Sequence, residues 1–343
     1  MTKIFLTGAS GYIGGDVLHA LATAHPDYEI SVLNRDQQKA DQITKAYPSV
    51  KIVQGSLDDA AVLEAEASKA DIVLHLAATG HLPSVQSILK GLTSSTRSKP
   101  AYWIQISGAS LLGAPEIASK TFGEPTSLVY NDLDRAANIR AHIRRYPARA
   151  VDNFVLDVAA RTDDVRTALV PGGIIFGPGR GPVKGRSVQV PELSRVTLQR
   201  GKAVQVGRGL SVWGSVHVHD LSGLFLLLVE KAVAGDAGKY WNEEGIYFNS
   251  VENDISFAEI SQRVAKAAVE KGYIQNVDVE QLAPEEADKL TPHASVILGT
   301  NARVEARRAR EVLGWKPAQK SLEEEIPETL QAEAERLGVS SKI

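Results

Sequence analysis

Apolar and polar positions along the first half of the chain predict strands and helices in alternation. Ile4-Phe5-Leu6 is a short apolar run that stops at Thr7, and Asp16-Val17-Leu18-His19-Ala20-Leu21-Ala22 is amphipathic with a helical period. Residues 28–33 read as a second strand ending in Asn34-Arg35-Asp36, and 37–47 carry a weak helical stripe. Strands follow at 51–54, 71–76 and 101–106, separated by helical runs at 59–68 and 84–94. The run Ile72-Val73-Leu74 has no polar face, as expected of a strand buried on both sides. This βαβαβ order predicts an α/β fold with a parallel, doubly wound sheet and right-handed crossovers.

The pattern then loosens. Residues 108–131 are rich in Gly, Pro, Ser and Thr and read as a loop. Helical runs at 132–145 and 149–161 are split by Pro147, and 167–170 is a strand leading into Pro171-Gly172-Gly173-Ile174-Ile175-Phe176-Gly177-Pro178. Beyond it come a helical run near 192–199, an apolar helix at 221–234, a short strand at 246–250 and helices at 256–271 and 303–313. Ser256 with Glu259, and Ser321 with Glu324, have the spacing of capping boxes. The expected organisation is a cofactor-binding domain over 1–177, with returns near 216–250, and a smaller substrate lobe over 178–343.

The turn after the first strand changes the picture from fold to chemistry. Gly8, Gly11 and Gly14 stand between strand and helix. Glycine lets the chain turn sharply, lets backbone N–H groups approach a pyrophosphate, and lets the helix pack close to the strand. The helix N-terminus adds donors and partial positive charge for an anion. The spacing is G-x-x-G-x-x-G, a variant of the dinucleotide fingerprint.

Composition narrows the classes. The net charge of -3 gives no global reason to expect nucleic acid or an anionic membrane surface. With no cysteine, disulfides, thiolate nucleophiles and cysteine metal sites are excluded. The chain opens directly on a strand, so a soluble, cytoplasmic protein is expected, and 224–229, the most apolar stretch, is too short to span a bilayer.

Five segments in order now resemble the extended short-chain dehydrogenase/reductase (NAD-dependent epimerase/dehydratase) family. They are Thr7-Gly8-Ala9-Ser10-Gly11-Tyr12-Ile13-Gly14-Gly15, His75-Leu76-Ala77-Ala78, Pro171 to Pro178 with Phe176 where the family has tyrosine, Val216-His217-Val218-His219-Asp220, and Leu313-Gly314-Trp315-Lys316-Pro317. The resemblance implies a Rossmann core with a small C-terminal substrate lobe. It implies cofactor contacts from Gly8, Ser10, Gly11, Tyr12, Ile13 and Gly14, and from Pro171 and Gly172. Ser56 and Leu57 would edge the adenine, and Leu76, Ala77 and Ala78 the adenine ribose and pyrophosphate side. At the end of the second strand, where an acid would hold the ribose 2′-hydroxyl of NAD, stand Asn34 and Arg35. A charge-assisted contact from Arg35 to a 2′-phosphate contributes about 1.5–3 kcal/mol, so NADP(H) is expected over NAD(H), with Asp36 as the opposing feature.

The chain departs from the family at its chemistry. The usual Tyr-x-x-x-Lys is missing: Asp134 follows Tyr130 at that spacing, and Ala150 follows Tyr146. Tyr146 with Arg149 as its positive partner is one replacement, and Tyr130 in the loop before the helices is another. Ser107 is the expected ligand of the substrate oxygen, with Gly108 where the family serine aligns. His217 and His219 read as lying on one face of a strand-like run, with a two-ligand spacing but no matching cluster, so no metal is expected. The basic stretch between Pro178 and Val216 reads as a solvated basic face or a hold for an anionic substrate group. The expected activity is hydride transfer to or from the carbonyl or alcohol carbon of a small organic substrate. The alternatives are an epimerase or dehydratase using a transient ketone, and an NADP(H)-binding regulator without turnover. By the resemblance, helices 132–145 and 149–161 could pair across a two-fold axis into a homodimer.

Overall fold

The computed structural model describes residues 1–94, 97–162, 164–236, 238–251 and 255–341. Strands β1 (Lys3–Thr7), β2 (Glu29–Asn34), β3 (Lys51–Gln54), β4 (Ile72–His75) and β5 (Ala101–Gly108), with a sixth at Val165–Gly172, form one parallel sheet. Its order is β3-β2-β1-β4-β5-sixth, so the order of strands across the sheet reverses between β1 and β4, which pair in parallel. Four helices, α1 (Tyr12–Ala24), α2 (Gln37–Ala46), α3 (Ala60–Lys69) and α4 (Leu82–Thr93), make the crossovers.

Strand side chains alternate between two cores, as a pleated strand requires. Ile4, Leu6, Val32, Leu74 and Ile104 pack with Val17, Leu18 and Leu21 of α1 on one face. Phe5, Val73 and Trp103 pack on the other with Leu63 of α3, Val85 and Ile88 of α4, and Val151 and Val155 of helix Ala150–Arg161. The last helix matters for function, because odd-numbered residues of β5 face it. Trp103 meets Phe154 with ring centroids 6.4 Å apart, and Ser107 lies four residues further along the same face.

Helices Gln189–Arg200, Phe257–Glu270 and Leu322–Leu337 gather around a small parallel pair, Ala203–Val206 with Val279–Leu282. Both capping boxes form as the sequence predicts, at Ser256 with Glu259 and at Ser321 with Glu324. Two of the sequence motifs prove to be one structural unit. Trp315 Nε1 donates to the Asp220 carbonyl at 2.8 Å, and the Asp220 carboxylate accepts from Ala318 N and Gln319 N at 2.9 and 3.1 Å.

Several local expectations need correction. Residues 246–250 form no strand, only a bridge from Ile246 to Leu169. The 303–313 helix shrinks to Arg307–Glu311, because Asp132 Oδ1 accepts from the Arg307 and Arg308 N–H groups and fixes the start there. The 108–131 loop holds a 3-10 turn, Ala109–Leu111, and a short helix, Ala114–Ser119. His217 caps helix Val218–Val233, its Nδ1 accepting from His219 N, so the pair does not lie on one strand face.

Most cations of the basic stretch meet carboxylates, although Arg200, Lys202 and Arg208 stay 36%, 44% and 61% exposed and Lys184 is exposed. Arg180 pairs with buried Asp16, Arg186 with Glu333 and Glu192, Arg195 with Glu192, Arg200 and Lys202 with Glu280, and Arg208 with Glu124. Burial pushes the Asp16 carboxyl up, but hydrogen bonds from Arg180 and Ser222 outweigh it and hold it below the usual range. These pairs tie the stretch to α1, to the loop around Glu124 and to the second half of the chain.

Candidate active site

The glycine turn is built by backbone. Gly8 has φ +90°, and a Cβ on it would lie 2.6 Å from the Leu76 carbonyl carbon. A Cβ on Gly14 would lie 2.2 Å from the Gly8 carbonyl oxygen, so α1 starts directly against the strand end. Gly11 N donates to that same oxygen at 2.8 Å and closes the turn. Below it, Thr7 donates to His75 Nδ1 at 2.7 Å, and His75 Nε2 donates to Ser84 Oγ at 3.3 Å, whose own proton goes to the His81 carbonyl. Burial lowers the His75 pKa to about 4, which keeps the ring neutral.

A cleft of about 310 Å³ opens at this sheet edge, lined by Thr7, Gly8, Ser10, Leu33, Asn34, Arg35, Gly55, Ser56, Leu57, Asp58, Ala77 and His81. It lies outside the carboxyl ends of the strands at the reversal point, where doubly wound sheets bind nucleotides. Arg35 is exposed at the cleft and has no carboxylate partner among the described residues. The Asp36 side chain instead caps α2, accepting from Lys39 N at 3.1 Å. Asn34 is 5% exposed, and its Nδ2 is a buried donor with no partner among the described residues. Narrow glycine turn, exposed guanidinium and orphaned amide together fit a dinucleotide cofactor.

Of the other residues expected here, Leu76 is buried beside the turn, its N–H donating to the Thr7 carbonyl, and the Ala78 carbonyl accepts from Gln105 Nε2. Ile13 stands in the first turn of α1 and packs against the core. The Tyr12 ring turns away from the cleft, its hydroxyl donating to the Gly177 carbonyl at 2.6 Å. Pro171 and Gly172 lie outside the cleft lining, paired in register with Ser107 and Gly108.

A second cluster forms where β5 meets helix Ala150–Arg161. The Ser107 hydroxyl donates to Asp152 Oδ1 at 2.6 Å. Arg149, the N-cap residue, donates from Nε to Asp152 Oδ2 at 2.7 Å and from Nη2 to Ser107 Oγ at 3.1 Å. Its Nη1 lies 3.4 Å from Ser110 Oγ. Asp152 is 1% exposed; burial raises its carboxyl above the usual range, and Arg149 draws it back only in part. Sequence reasoning placed Ser107 and Arg149 in the site but missed Asp152. The readable signal was the spacing Arg149-x-x-Asp152, one helical turn, with the acid on the apolar face beside Val151 and Val155.

The two tyrosines sit apart from this cluster, on either side of His142. The Tyr130 hydroxyl lies 3.2 Å from His142 Nδ1, and His142 Nε2 lies 3.0 Å from the Leu111 carbonyl. A carbonyl only accepts, so Nε2 carries the proton and Tyr130 donates to Nδ1. Burial, with Glu116 and Tyr146 nearby, pushes the Tyr130 hydroxyl up to about 12. The Tyr146 ring packs 5.2 Å from the His142 ring, and its carbonyl accepts from Arg149 N at 3.0 Å. Among the described residues no hydrogen bond joins either tyrosine hydroxyl to Ser107, Arg149 or Asp152.

Known proteins agree with this architecture. The NAD-dependent epimerase/dehydratase family pattern matches residues 4–90. A protein named oxidase ucsJ from an Acremonium species is 39% identical over 98% of this chain and 99% of its own length. Among solved structures, the dTDP-glucose 4,6-dehydratase of Bacillus anthracis, in complex with NAD, superposes with a TM-score of 0.66 at 15% identity, covering 98% of this chain and 97% of that one. The UDP-glucose 4-epimerase of Thermotoga maritima, with UDP-glucose, gives 0.64 at 17% identity over 98% and 100%. At such identities the two structures establish the fold, and the full-length relative establishes membership. The chain belongs to the NAD-dependent epimerase/dehydratase family, with the fold of the extended short-chain dehydrogenase/reductase type.

Proposed function

We propose that the protein is an NADP(H)-dependent oxidoreductase that moves hydride to or from the alcohol or carbonyl carbon of a small organic molecule. The observation that carries the cofactor choice is Arg35, exposed in the cleft without a carboxylate partner while Asp36 is committed to capping α2. Asn34 Nδ2, buried and unpartnered among the described residues, supplies a second donor for the ribose side. Gly8, Gly11 and Gly14 would hold the pyrophosphate, Ser56 and Leu57 the adenine, and Ala77 and Ala78 the adjoining ribose. The lobe that follows residue 178 would supply most of the substrate contacts. The nicotinamide would supply or take up the hydride, while this chain's residues bind, orient and move the proton. That the 39% identical relative bears the name oxidase agrees with redox turnover.

The test is a pair of titrations and a screen. NADP(H) and NAD(H) dissociation constants are measured on the wild type and on Arg35→Ala. A preference of about one to two decades for NADP(H), lost in the variant, is expected from a charge-assisted contact. No preference, or one that survives the substitution, refutes it. NADPH absorbance is then followed with aldehydes, ketones and enones, and NADP⁺ reduction with alcohols. The missing Tyr-x-x-x-Lys favours a second reading, a cofactor-binding regulator, which tight NADPH binding without any turnover would support.

A further inference from the structure

The Ser107 cluster adds a hydroxyl to an ion pair, as the Asp16–Arg180–Ser222 group does beside α1. It differs in its place, at the carboxyl end of β5. Here a fully buried carboxylate is shared between a cation and a hydroxyl, and the hydroxyl and cation also touch each other. A serine oxygen has one proton to give and two lone pairs to receive. Ser107 gives its proton to Asp152 and receives one from Arg149 Nη2, so one lone pair remains. Ser107 is 3% exposed, and on Gly108, next in the chain, a Cβ would meet Ser110 Oγ at 3.4 Å. The Arg149 side chain is 20% exposed, so the cluster reaches solvent through its cation. Neither tyrosine offers a comparable path, since Tyr130 is bonded to His142 and the Tyr146 hydroxyl has no bond to the cluster.

We propose that Asp152, acting through Ser107, is the proton acceptor of the reaction, with Arg149 as the fixed cation beside the reacting oxygen. This deepens the oxidoreductase reading and rests on it. In alcohol oxidation the substrate O–H proton passes to Ser107 Oγ as the Ser107 proton passes to Asp152 Oδ1. The O–H electron pair becomes the second bond of the new carbonyl, and the carbinol C–H bond breaks with its pair leaving as hydride. The oxidised nicotinamide supplies the oxidant. Arg149 stabilises the negative charge that builds on the oxygen. Reduction runs the same steps backwards, with the protonated Asp152 as donor. Ser107 and Arg149 touch the substrate oxygen; Asp152 acts one bond further back. Its raised carboxyl suits a group that must take and return a proton.

The experiment uses the full-length protein. Asp152→Asn keeps the shape and one hydrogen bond but cannot take a proton. Its kcat for alcohol oxidation should fall by about 10²–10⁴-fold, and the loss of rate toward low pH expected of the wild type should be absent. Its NADPH affinity, read by fluorescence, should be unchanged, which also shows that it folds. Ser107→Ala should show the same kinetic loss while leaving Asp152 in place. Infrared difference titration of the cofactor-free protein supplies a readout independent of turnover: a buried carboxyl band that titrates in the wild type, in Ser107→Ala and in Tyr146→Phe, and is absent from Asp152→Asn. An Asp152→Asn enzyme that keeps its kcat and its low-pH limb overturns the inference while leaving the oxidoreductase reading intact. A wild type that binds NADPH but turns nothing over removes the oxidoreductase reading and this inference with it.

Discussion

The cofactor cleft and the Ser107 cluster lie at the same edge of one sheet and are made in opposite ways. The cleft depends on what is missing: three glycines without side chains let Gly8, Leu76 and the start of α1 approach within contact distance. Its parts are contiguous, from Thr7 to Gly15. The cluster depends on side chains that arrive separately, Ser107 from β5 and Arg149 and Asp152 from a helix more than 40 residues later. A backbone device tolerates almost no substitution, whereas a side-chain device can be rebuilt with other residues provided that charge and hydrogen bonds are kept. That difference explains how one chain can keep its family's phosphate turn and lose its tyrosine and lysine.

The largest effect should come from adding a single methyl group to the cleft. Gly14→Ala places a carbon 2.2 Å from the Gly8 carbonyl oxygen, so helix and turn must move apart. The expected cost is roughly 3 kcal/mol of stability, the upper part of the range for overpacking, with NADP(H) binding lost. Calorimetry and a fluorescence titration check it. Arg149→Ala, by contrast, should leave cofactor affinity nearly intact and remove turnover. If Gly14→Ala still bound NADPH as the wild type does, the distinction between backbone and side-chain devices would fail.

Acid should strike the cleft next. The His75 pKa is about 4 in the folded protein, and its unfolded value is near 6.5. The unfolded chain therefore binds more protons between those limits, and stability falls as the pH drops through that window. At one pKa unit per 1.36 kcal/mol, the loss from this one ring reaches about 3 kcal/mol below pH 4. His75→Gln should flatten the fall between pH 6.5 and 4 in denaturant titrations, although it lowers stability at neutral pH. An unchanged slope would mean that the Thr7–His75–Ser84 chain does not hold the ring neutral.

How much could be read from the sequence follows from the same contrast. The succession of strands and helices in the first half, the glycine turn and both capping boxes depend on periodicity and local spacing, and they were legible. The motif ending in Asp220 and the one containing Trp315 were recognised separately, and only the fold shows that they bond to each other. Asp152 was missed because an acid beside valines on a helix looks like a solvated residue until β5 is laid against that helix. The pairing within the basic stretch was not legible, for a related reason. Its partners Asp16, Glu280 and Glu333 are distant in sequence, so a run of unpaired charges on paper is a set of internal ion pairs in space.

The smallest effect is the one that separates the two candidate tyrosines from the cluster. Tyr130→Phe removes one hydrogen bond to His142 Nδ1, an interaction between two largely buried groups. The expected destabilisation is about 1 kcal/mol, the net value of an ordinary neutral hydrogen bond. If the proton path runs through Ser107 and Asp152, kcat and the low-pH limb of the rate profile should be the same as in the wild type. Tyr146→Phe should behave likewise, and with less effect on stability because no hydrogen bond is assigned to its hydroxyl. A thermal melt beside a pH–rate profile for each variant suffices. A collapse of kcat in Tyr146→Phe, with its melt unchanged, would return the proton to the tyrosine and leave Arg149 as that residue's electrostatic partner.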